Sequence, residues 1–279
     1  MKYIHLLRIH HWIKNLFLFA APFFGGSLFH EKTFLIAFPA FIGFSLCASA
    51  VYIFNDMQDI EYDRLHPRKK KRPIASGRIN MRDAFVIAAF LAAIGCLISY
   101  RIAPAFFYYV SAYLFIQVLY SLYLKNIAIV DIFCIASGFI IRVIAGGVAF
   151  NVEVSSWLLL TMFMISLVLA SGKRLSEVKL LNEKAGIHRK SLDIYSISTL
   201  NEILLISSAG ALIAYSLYTV EQYHRLIYTV PIVTFGLFRY LHLSKKGIGD
   251  PTDSLTHDKW LALTVIVWLS LIGLLRYNH

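Results

Sequence analysis

The sequence predicts an all-α protein that lies within a membrane, with nine transmembrane helices in one bundle. Three observations support this fold class. Of the 279 residues, 58% are hydrophobic and only 15% are charged, which makes the chain far more apolar than a soluble domain of this size. Apolar runs of about the length of a bilayer span recur along the whole chain. The basic residues concentrate in alternate connections between those runs, as they do in membrane proteins of fixed orientation.

Each apolar run can cross the hydrocarbon core, which takes about 20 residues of α-helix. In chain order the nine predicted spans cover residues 12–29, 33–54, 83–101, 104–124, 127–150, 155–172, 198–219, 224–243 and 259–275. No small-residue cleavage site follows the first run, so we expect it to be retained rather than removed as a signal peptide. The three cysteines fall inside spans without metal-ligand spacing, which favours a packing role. The prediction is a single integral membrane domain over residues 1–279.

The positions of the basic residues predict the orientation. When residues near a span end are counted with the segment they adjoin, 21 of the 27 Lys and Arg residues belong to the N-terminal segment or to the connections after the second, fourth, sixth and eighth spans. Four lie on the opposite side and two within spans. The positive-inside rule then places the N-terminus and two basic loops, about 55–82 and 173–197, in the cytoplasm of a cell with the protein in its inner (plasma) membrane. The net charge of +11 therefore does not indicate nucleic acid, although the loops could serve only topology and attraction to anionic lipid.

The second span runs directly into a string of oxygen-bearing side chains. Asn55, Asp59 and Asp63 follow one another at intervals of four residues. On a continued helix they drift only about 40° per step, so they share one face at the cytoplasmic end of the span. Such oxygen ligands suit Mg²⁺, which usually keeps several waters and bridges to the phosphates of a substrate. The pattern predicts a site for a metal-bound diphosphate, and the alternative that spacing alone leaves open is a solvated acidic helix end.

A cation-rich segment follows these acidic residues. Residues 64–77 read RLHPRKKKRPIASG, in which the prolines and the glycine break the helix and shape a loop. Lys and Arg side chains neutralise phosphate oxygens and stabilise the charge that develops on departing pyrophosphate. Groups that hold a metal and groups that hold phosphate are therefore adjacent in the chain.

The same segment carries a resemblance to a known family. Asn55, Asp59 and Asp63 match the NxxxDxxxD motif of the UbiA-type polyprenyl transferases. The longer string NDxxDxxxDRxHPxKxxRPIASG, over residues 55–77, resembles the decaprenyl-phosphate phosphoribosyltransferases within that superfamily. Similar stretches are HWIKN at 11–15, RVIAGG at 142–147 and GKR at 172–174. The likeness covers essentially the whole chain and is loose only in the C-terminal third.

This resemblance implies a nine-helix bundle of the UbiA type, with a central cavity open to the cytoplasm and a lateral opening for a lipid tail. It implies transfer of 5-phosphoribose from phosphoribosyl pyrophosphate to a decaprenyl-like polyprenyl phosphate, with Mg²⁺ and loss of pyrophosphate. In the implied mechanism Asn55, Asp59 and Asp63 hold the Mg²⁺. The side chains implied to contact the donor phosphates are Lys14, Arg64, Lys70, Arg72 and Lys125.

The connection after the sixth span separates two reactions within the superfamily. Aromatic prenyltransferases carry a second aspartate-rich motif there, whereas this chain has GKRLSE at residues 172–177. Lys173 and Arg174, with the one carboxylate of Glu177, suit a phosphate monoester held by direct charge pairing. They are the predicted ligands of the acceptor phosphate. Transfer of a polyprenyl group from its diphosphate to an aromatic acceptor is the alternative, and a transporter or lipid-binding protein is a third reading that the NxxxDxxxD pattern disfavours.

Several other polar residues have two interpretations each. Arg142 and Asp131 lie on nearly the same face of the fifth span, where a charge is costly, so they serve either a substrate cavity or an internal ion pair. Lys14 and Lys125 either bind phosphate or only mark the cytoplasmic boundary, and Tyr120 is an interfacial anchor or a cavity residue. Asp56 is a candidate base or second metal ligand. The expected partners are the lipid, the donor and the membrane, and a homo-oligomer is compatible with the sequence.

Overall fold

The computed structural model describes residues 2–65, 69–181 and 194–277, and this part of the chain is helical and contains no strand. Its α-helices are α1 (Lys2–Leu7), α2 (Ala20–Phe24), α3 (Glu31–Gln58), α4 (Ile60–Leu65), α5 (Met81–Ile102), α6 (Pro104–Leu122), α7 (Val130–Phe150), α8 (Ser156–Leu181), α9 (Ile197–Gln222), α10 (Val230–Lys245), α11 (Pro251–His257) and α12 (Lys259–Tyr277). Shorter 3₁₀ segments are Ile9–Phe19, Lys69–Lys71, Leu124–Asn126 and His224–Thr229.

Eight helical stretches among the described residues are long and apolar enough to cross a membrane. They correspond to the second to ninth predicted spans, with ends that differ by a few residues except at the sixth, whose helix continues well beyond residue 172. Large apolar side chains on these helices, such as Phe34, Phe90 and Phe115, are exposed. Such exposure suits lipid tails and is rare on a soluble monomer. The prediction of an all-α membrane protein is confirmed.

The first predicted span, residues 12–29, is not one continuous α-helix. Its first part belongs to the 3₁₀ helix Ile9–Phe19, and α2 follows directly. A 3₁₀ helix rises about 2.0 Å per residue, so this one covers about 22 Å. With the five residues of α2 the segment reaches about 30 Å, close to the thickness of the hydrocarbon core. The length permits a crossing, and the count of nine spans stays a prediction.

A ladder of polar contacts holds this 3₁₀ helix against α3. Trp12 donates its ring N–H to Ser49 Oγ at 2.9 Å, and the Asn15 amide donates to Ser45 Oγ at 2.8 Å. Ser49 donates in turn to the backbone oxygen of Leu7 at 2.8 Å. The two serines are four residues apart and therefore share one face of α3. These contacts give the HWIKN stretch a structural role, because they support a helix type whose own hydrogen bonds are poor.

The chain divides into two compact units. The first contains α1 to α6 and most of α7. Its core is formed by α3 packed against α5 and α6, with side chains such as Phe44, Phe106 and Tyr113 almost fully buried. A second apolar cluster contains Ile53, Ile74 and Ile79. This cluster anchors Ile74 and Ile79 to the end of α3 and so fixes the described part of the cation-rich segment, from residue 69 onward, in place. The single domain over 1–279 stays a prediction.

The second unit contains α8 to α12. Helix α8 packs along α9, and α10 packs against α12. The loop predicted at 173–197 begins later than expected, because α8 continues to Leu181. An ion pair between Arg174 and Glu177, three residues apart, stabilises this extension. Residues 182–193 of the predicted loop lie outside the described residues.

Candidate functional site

The residues from Asn55 to Asp63, here called the acidic string, lie at the junction between α3 and α4. Helix α3 ends at Gln58, and Asp59 adopts φ −96° and ψ 10° before α4 begins. The backbone N–H of Asp59 donates to Asn55 O at 3.0 Å, and that of Asp63 donates to Asp59 O at 2.8 Å. The helical path therefore continues across the break, as the spacing of the three residues predicts.

Asn55 and Asp59 contact each other directly. The Asn55 amide donates to Asp59 Oδ2 at 2.9 Å, and Ser121 at the end of α6 donates to Asn55 Oδ1 at 3.3 Å. The other carboxylate oxygen of Asp59, Oδ1, forms an ion pair with Lys125, which is only 8% exposed. Lys125 belongs to the 3₁₀ turn after α6. The lone cation of that short connection is thus brought to the acidic string, 66 residues away in sequence.

Asp63 joins a second group that centres on Asp56. Arg72 Nη1 lies 2.5 Å from Asp63 Oδ2 and 3.0 Å from Asp56 Oδ1. Asp56 Oδ1 also forms an ion pair with Arg8, from the turn between α1 and the 3₁₀ helix. Both carboxylates are 3% exposed. Two arginines from distant segments therefore compensate two buried carboxylates.

Burial has an electrostatic cost at Asp63. The desolvation of its carboxylate raises the pKa of Asp63 above the usual range, and the charge and hydrogen bond of Arg72 oppose that shift. Arg72 therefore favours the charged form of this carboxylate. A bound divalent cation would add to that effect.

The remaining donor-phosphate candidates of the first unit are more solvated. Arg64 lies 3.3 Å from exposed Glu61, and its Nε donates to Ala75 O at 3.4 Å. Lys70 is exposed in the 3₁₀ turn Lys69–Lys71. Lys14 and Tyr120 are half-buried, on the N-terminal 3₁₀ helix and the last turn of α6. Their phosphate-binding or cavity roles stay predictions.

Arg142 is buried within α7, in the first unit. Its Nε donates to Asn15 Oδ1 at 2.8 Å, and its Nη2 donates to Tyr113 OH at 3.1 Å. The guanidinium also lies over the rings of Tyr113 and Phe44, at 4.6 Å and 5.0 Å from their centroids. These contacts join α3, α6, α7 and the N-terminal 3₁₀ helix around one cation. The choice between a substrate cavity and an internal ion pair stays a prediction. Asp131 is fully buried in the first turn of the same helix.

The predicted acceptor ligands lie in the second unit, at the end of α8. Lys173 Nζ is 3.4 Å from Asp250 Oδ2, and both side chains are about one third exposed. Arg174 is nearly fully buried and pairs with the partly exposed Glu177. Lys173 is thus the more accessible cation of the two.

Three participants were missed by sequence reasoning: Arg8, Ser121 and Asp250. Arg8 and Ser121 lie outside any motif. Asp250 falls in the polar stretch 249–253, for which the sequence leaves two interpretations, a segment that closes over the site or, the favoured one, a simple connector. Each contacts a residue at least 48 positions away. The available signal for such partners was the cluster of carboxylates in the acidic string, because carboxylates that become buried need polar or charged partners.

The donor set fits a metal that arrives with its substrate. Among the described residues no group of three His, Cys, Asp or Glu side chains is arranged as a metal cage. Mg²⁺ bound to phosphates needs only one or two carboxylates and retains waters. The adjacent Asn55 and Asp59 oxygens, with Asp63 one turn further on, are the hard oxygen donors that such an ion prefers.

Comparison with known proteins agrees with this fold and identifies a family. Residues 16–255 match the UbiA prenyltransferase family. A decaprenyl-phosphate phosphoribosyltransferase of Mycolicibacterium smegmatis is 33% identical, over 98% of this chain and 92% of the relative. The enzyme of that name from Corynebacterium glutamicum is 32% identical, over 98% and 86% of the two chains.

Solved structures show the same fold at low sequence identity. A UbiA homolog from Archaeoglobus fulgidus, bound to DMAPP and Mg²⁺, superimposes with a TM-score of 0.79 at 18% identity, over 100% of this chain and 99% of that one. A structure of the A. fulgidus protein with Cd²⁺ gives a TM-score of 0.74, also at 18% identity, over 98% and 100% of the chains. With its family match, its full-length relatives and its acidic motif in the expected place, the chain belongs to the UbiA prenyltransferase family.

Proposed function

We propose that this protein transfers 5-phosphoribose from phosphoribosyl pyrophosphate to a polyprenyl phosphate and releases pyrophosphate. The observation that carries the proposal is the similarity, over nearly the whole chain, to relatives named decaprenyl-phosphate phosphoribosyltransferase. The connection after the sixth predicted span begins GKRLSE, at residues 172–177, in place of a second aspartate-rich motif, which supports a phosphate acceptor over an aromatic one.

The donor binds at the acidic string of the first unit. Asn55, Asp59 and Asp63 are the proposed ligands of a Mg²⁺ ion that accompanies the diphosphate, and Asp56 is a poorer candidate because two arginines occupy it. Magnesium, when bound, neutralises part of the diphosphate charge and makes pyrophosphate a better leaving group. In the structure, Asp59 is paired with Lys125 and Asp63 with Arg72.

Those cations can exchange partners when the donor arrives. Lys125 and Arg72 pair with Asp59 and Asp63, and the same groups are suited to diphosphate oxygens. Arg64, Lys70 and Lys14 are further proposed donor contacts. The exchange keeps the buried carboxylates compensated at every stage, which avoids the large cost of an unpaired buried charge.

Lys173 and Arg174 are the proposed ligands of the acceptor phosphate. Lys173 forms only a long, partly exposed ion pair with Asp250. A phosphate group can therefore replace Asp250 as the partner of Lys173 at little cost in free energy. Buried Arg174 is held by Glu177 and adds positive charge. An ionised phosphate is already a nucleophile near neutral pH, so its oxygen attacks the anomeric carbon without a strong general base while positioning and charge neutralisation lower the barrier.

The proposal includes the membrane and its orientation. We infer that the protein lies in the plasma membrane with the acidic string on the cytoplasmic side, where the basic residues concentrate. A central cavity open to that side is part of this proposal.

Label transfer tests the reaction directly. Purified protein receives Mg²⁺, phosphoribosyl pyrophosphate labelled in the ribose, and polyprenyl phosphate, and labelled lipid is measured. We expect transfer that stops on removal of divalent metal and falls about 100-fold or more in Asp59→Asn. Lys125→Met should raise the KM for the donor about tenfold. Asp83→Asn, an exposed carboxylate at the start of α5, serves as the control.

Two results would overturn the proposal. The first is no labelled lipid from the wild-type protein together with transfer of a prenyl group from a prenyl diphosphate to an aromatic acceptor. The second is phosphoribosyl transfer that survives Asp59→Asn unchanged, because the acidic string could then not be the donor site.

A further inference from the structure

We propose that Arg8 is a positioning residue for the donor, which acts through Asp56 to leave Arg72 available for the diphosphate. This inference rests on the proposed function and adds a residue that belongs to none of the motifs in the chain. It concerns the first unit alone, in which Arg8, Asp56, Arg72 and Asp63 form one continuous chain of ion pairs.

The backbone at Arg8 places its side chain at the acidic string. Arg8 has φ 52° and ψ 47°, the left-handed conformation, between α1 and the 3₁₀ helix. A non-glycine residue adopts this conformation at a cost and keeps it only where surrounding contacts hold it. Here His11 N donates to Arg8 O at 2.8 Å, and Leu6 is buried in the cluster with Ile53. The guanidinium also lies 5.6 Å from the centre of the Tyr52 ring.

One oxygen of Asp56 is shared between two arginines. Arg8 and Arg72 both contact Asp56 Oδ1, and the Nη1 atom of Arg72 is itself shared with Asp63 Oδ2. Arg8 therefore supplies part of the positive charge that Asp56 needs. With an Asp56 side chain that is 3% exposed, water cannot substitute for a missing guanidinium.

Without Arg8, Arg72 would be the only one of these two arginines left to neutralise the charge of the Asp56 carboxylate. Arg72 would then be held more tightly by Asp56 and be less able to turn toward an incoming diphosphate. Arg8 has no need to touch the donor for this effect, so it is a positioning residue. The expected signature is weaker donor binding with little change in turnover or in the KM for the lipid.

The test is a kinetic comparison of variants in the full-length protein. Arg8→Ala should raise the KM for phosphoribosyl pyrophosphate about tenfold, while kcat and the KM for polyprenyl phosphate stay within about twofold of wild type. Arg8→Lys retains a charge and should recover part of the loss. Arg82→Ala removes an exposed arginine from the start of α5 and is the matched control, with no expected change.

A double-mutant cycle separates this role from simple stabilisation. In an Asp56→Asn background, Arg8→Ala should cause little further change in the donor KM, because the carboxylate through which Arg8 acts is already neutral. Fully additive effects would contradict the inference. So would an unchanged donor KM in Arg8→Ala, or an equal loss in kcat and in both KM values that follows a lowered melting temperature.

The failure of the proposed function would look different. If the wild-type protein transfers no phosphoribose, the proposed reaction is wrong. The role of Arg8 is then decided by magnesium-dependent binding of phosphoribosyl pyrophosphate, measured as a thermal shift. A shift that is present in wild type and weakened in Arg8→Ala supports the inference, and equal shifts, or none in wild type, overturn it.

Discussion

Arg142 shows how a single buried cation can be accommodated by neutral groups. Its guanidinium donates to an amide oxygen and a phenol oxygen and lies over two aromatic rings. Such contacts use the planar, multiply donating shape of arginine, which a lysine ammonium cannot reproduce. The charge is therefore tied to the packing of α3, α6, α7 and the N-terminal 3₁₀ helix.

We expect Arg142→Lys to destabilise the protein more than it impairs donor or lipid binding. Loss of two directed hydrogen bonds to a charged group should cost about 2–4 kcal/mol, seen as a lower melting temperature in detergent. The KM values of the protein that remains folded should be nearly those of wild type. An unchanged melting temperature together with a raised KM for either substrate would instead assign Arg142 to the substrate cavity.

Four of the residues that the sequence identified lie in one dense charged segment. Asn55, Asp59, Asp63 and Arg72 lie within 18 consecutive residues, so their proximity follows from the chain itself. Lys125 could be suspected as the lone cation of a short connection, although its contact with Asp59 spans 66 positions. Arg8 could not be paired in this way, because a charge pattern does not report which distant carboxylate a lone arginine reaches.

Among the elements, hydropathy predicted the position of spans and failed to predict helix type. The eight long helices follow from apolar runs of sufficient length. The 3₁₀ helix Ile9–Phe19 does not, because its stability comes from contacts with Ser45 and Ser49 on α3. The extension of α8 beyond residue 172 was also missed, since polar composition past a membrane boundary does not by itself end a helix.

A close approach between elements makes Gly146 sensitive. A Cβ at Gly146 of α7 would overlap the backbone oxygen of Leu18 in the 3₁₀ helix. Since backbone atoms cannot move aside as side chains can, Gly146→Ala should cost about 1–3 kcal/mol of stability through overpacking. Gly273→Ala on α12 is the matched control, because nothing lies within 4 Å of its added Cβ. Equal melting temperatures for the two variants would contradict this account.

Asp258 links two elements of the second unit. It accepts from Arg239 of α10 at 3.0 Å and 2.5 Å and from the backbone N–H of Leu261 at 2.7 Å, which caps α12. The hydrogen bond with Arg239 is the main reason that the pKa of Asp258 is lowered. A lowered pKa means that the stabilisation is complete above the ordinary aspartate value of about 3.9 and is lost as the pH falls through the lowered pKa.

Variants of Asp258 separate its two roles. Asp258→Asn keeps a good capping side chain but removes the charge, so the melting temperature of this variant should be lower than that of wild type at pH 7. The part of the acid destabilisation that comes from Asp258 should be absent in this variant. Asp258→Ala should lose about 1 kcal/mol more, because the cap is also removed. Asp253→Asn, an exposed carboxylate on α11, should behave as wild type. The capping and charge interpretation is wrong if the Asn and Ala variants are equally stable.

At the scale of the whole molecule, one distribution of charge underlies both the proposed topology and the proposed site. Three carboxylates of the acidic region, Asp56, Asp59 and Asp63, are matched by Arg8, Arg72 and Lys125. The excess of Lys and Arg over Asp and Glu gives the chain its net charge of +11 and the predicted sidedness of that charge. The sequence predicts this sidedness, and the orientation stays a prediction. It cannot predict how the first apolar segment crosses the bilayer, because 3₁₀ and α-helices of equal length cover different distances.

Cysteine labelling tests that crossing in a bacterial plasma membrane. In a variant lacking Cys47, Cys96 and Cys134, we introduce one cysteine at a time at exposed Tyr3, Lys32 or Lys71. If the segment from Ile9 to Phe24 spans the hydrocarbon core, a membrane-impermeant maleimide should label Lys32→Cys in intact cells, and Tyr3→Cys and Lys71→Cys only after permeabilisation. The cysteine-free parent should remain unlabelled. Labelling of Tyr3→Cys together with Lys32→Cys in intact cells would mean that the 3₁₀ segment returns to the side on which it began, and that the chain crosses the membrane eight times.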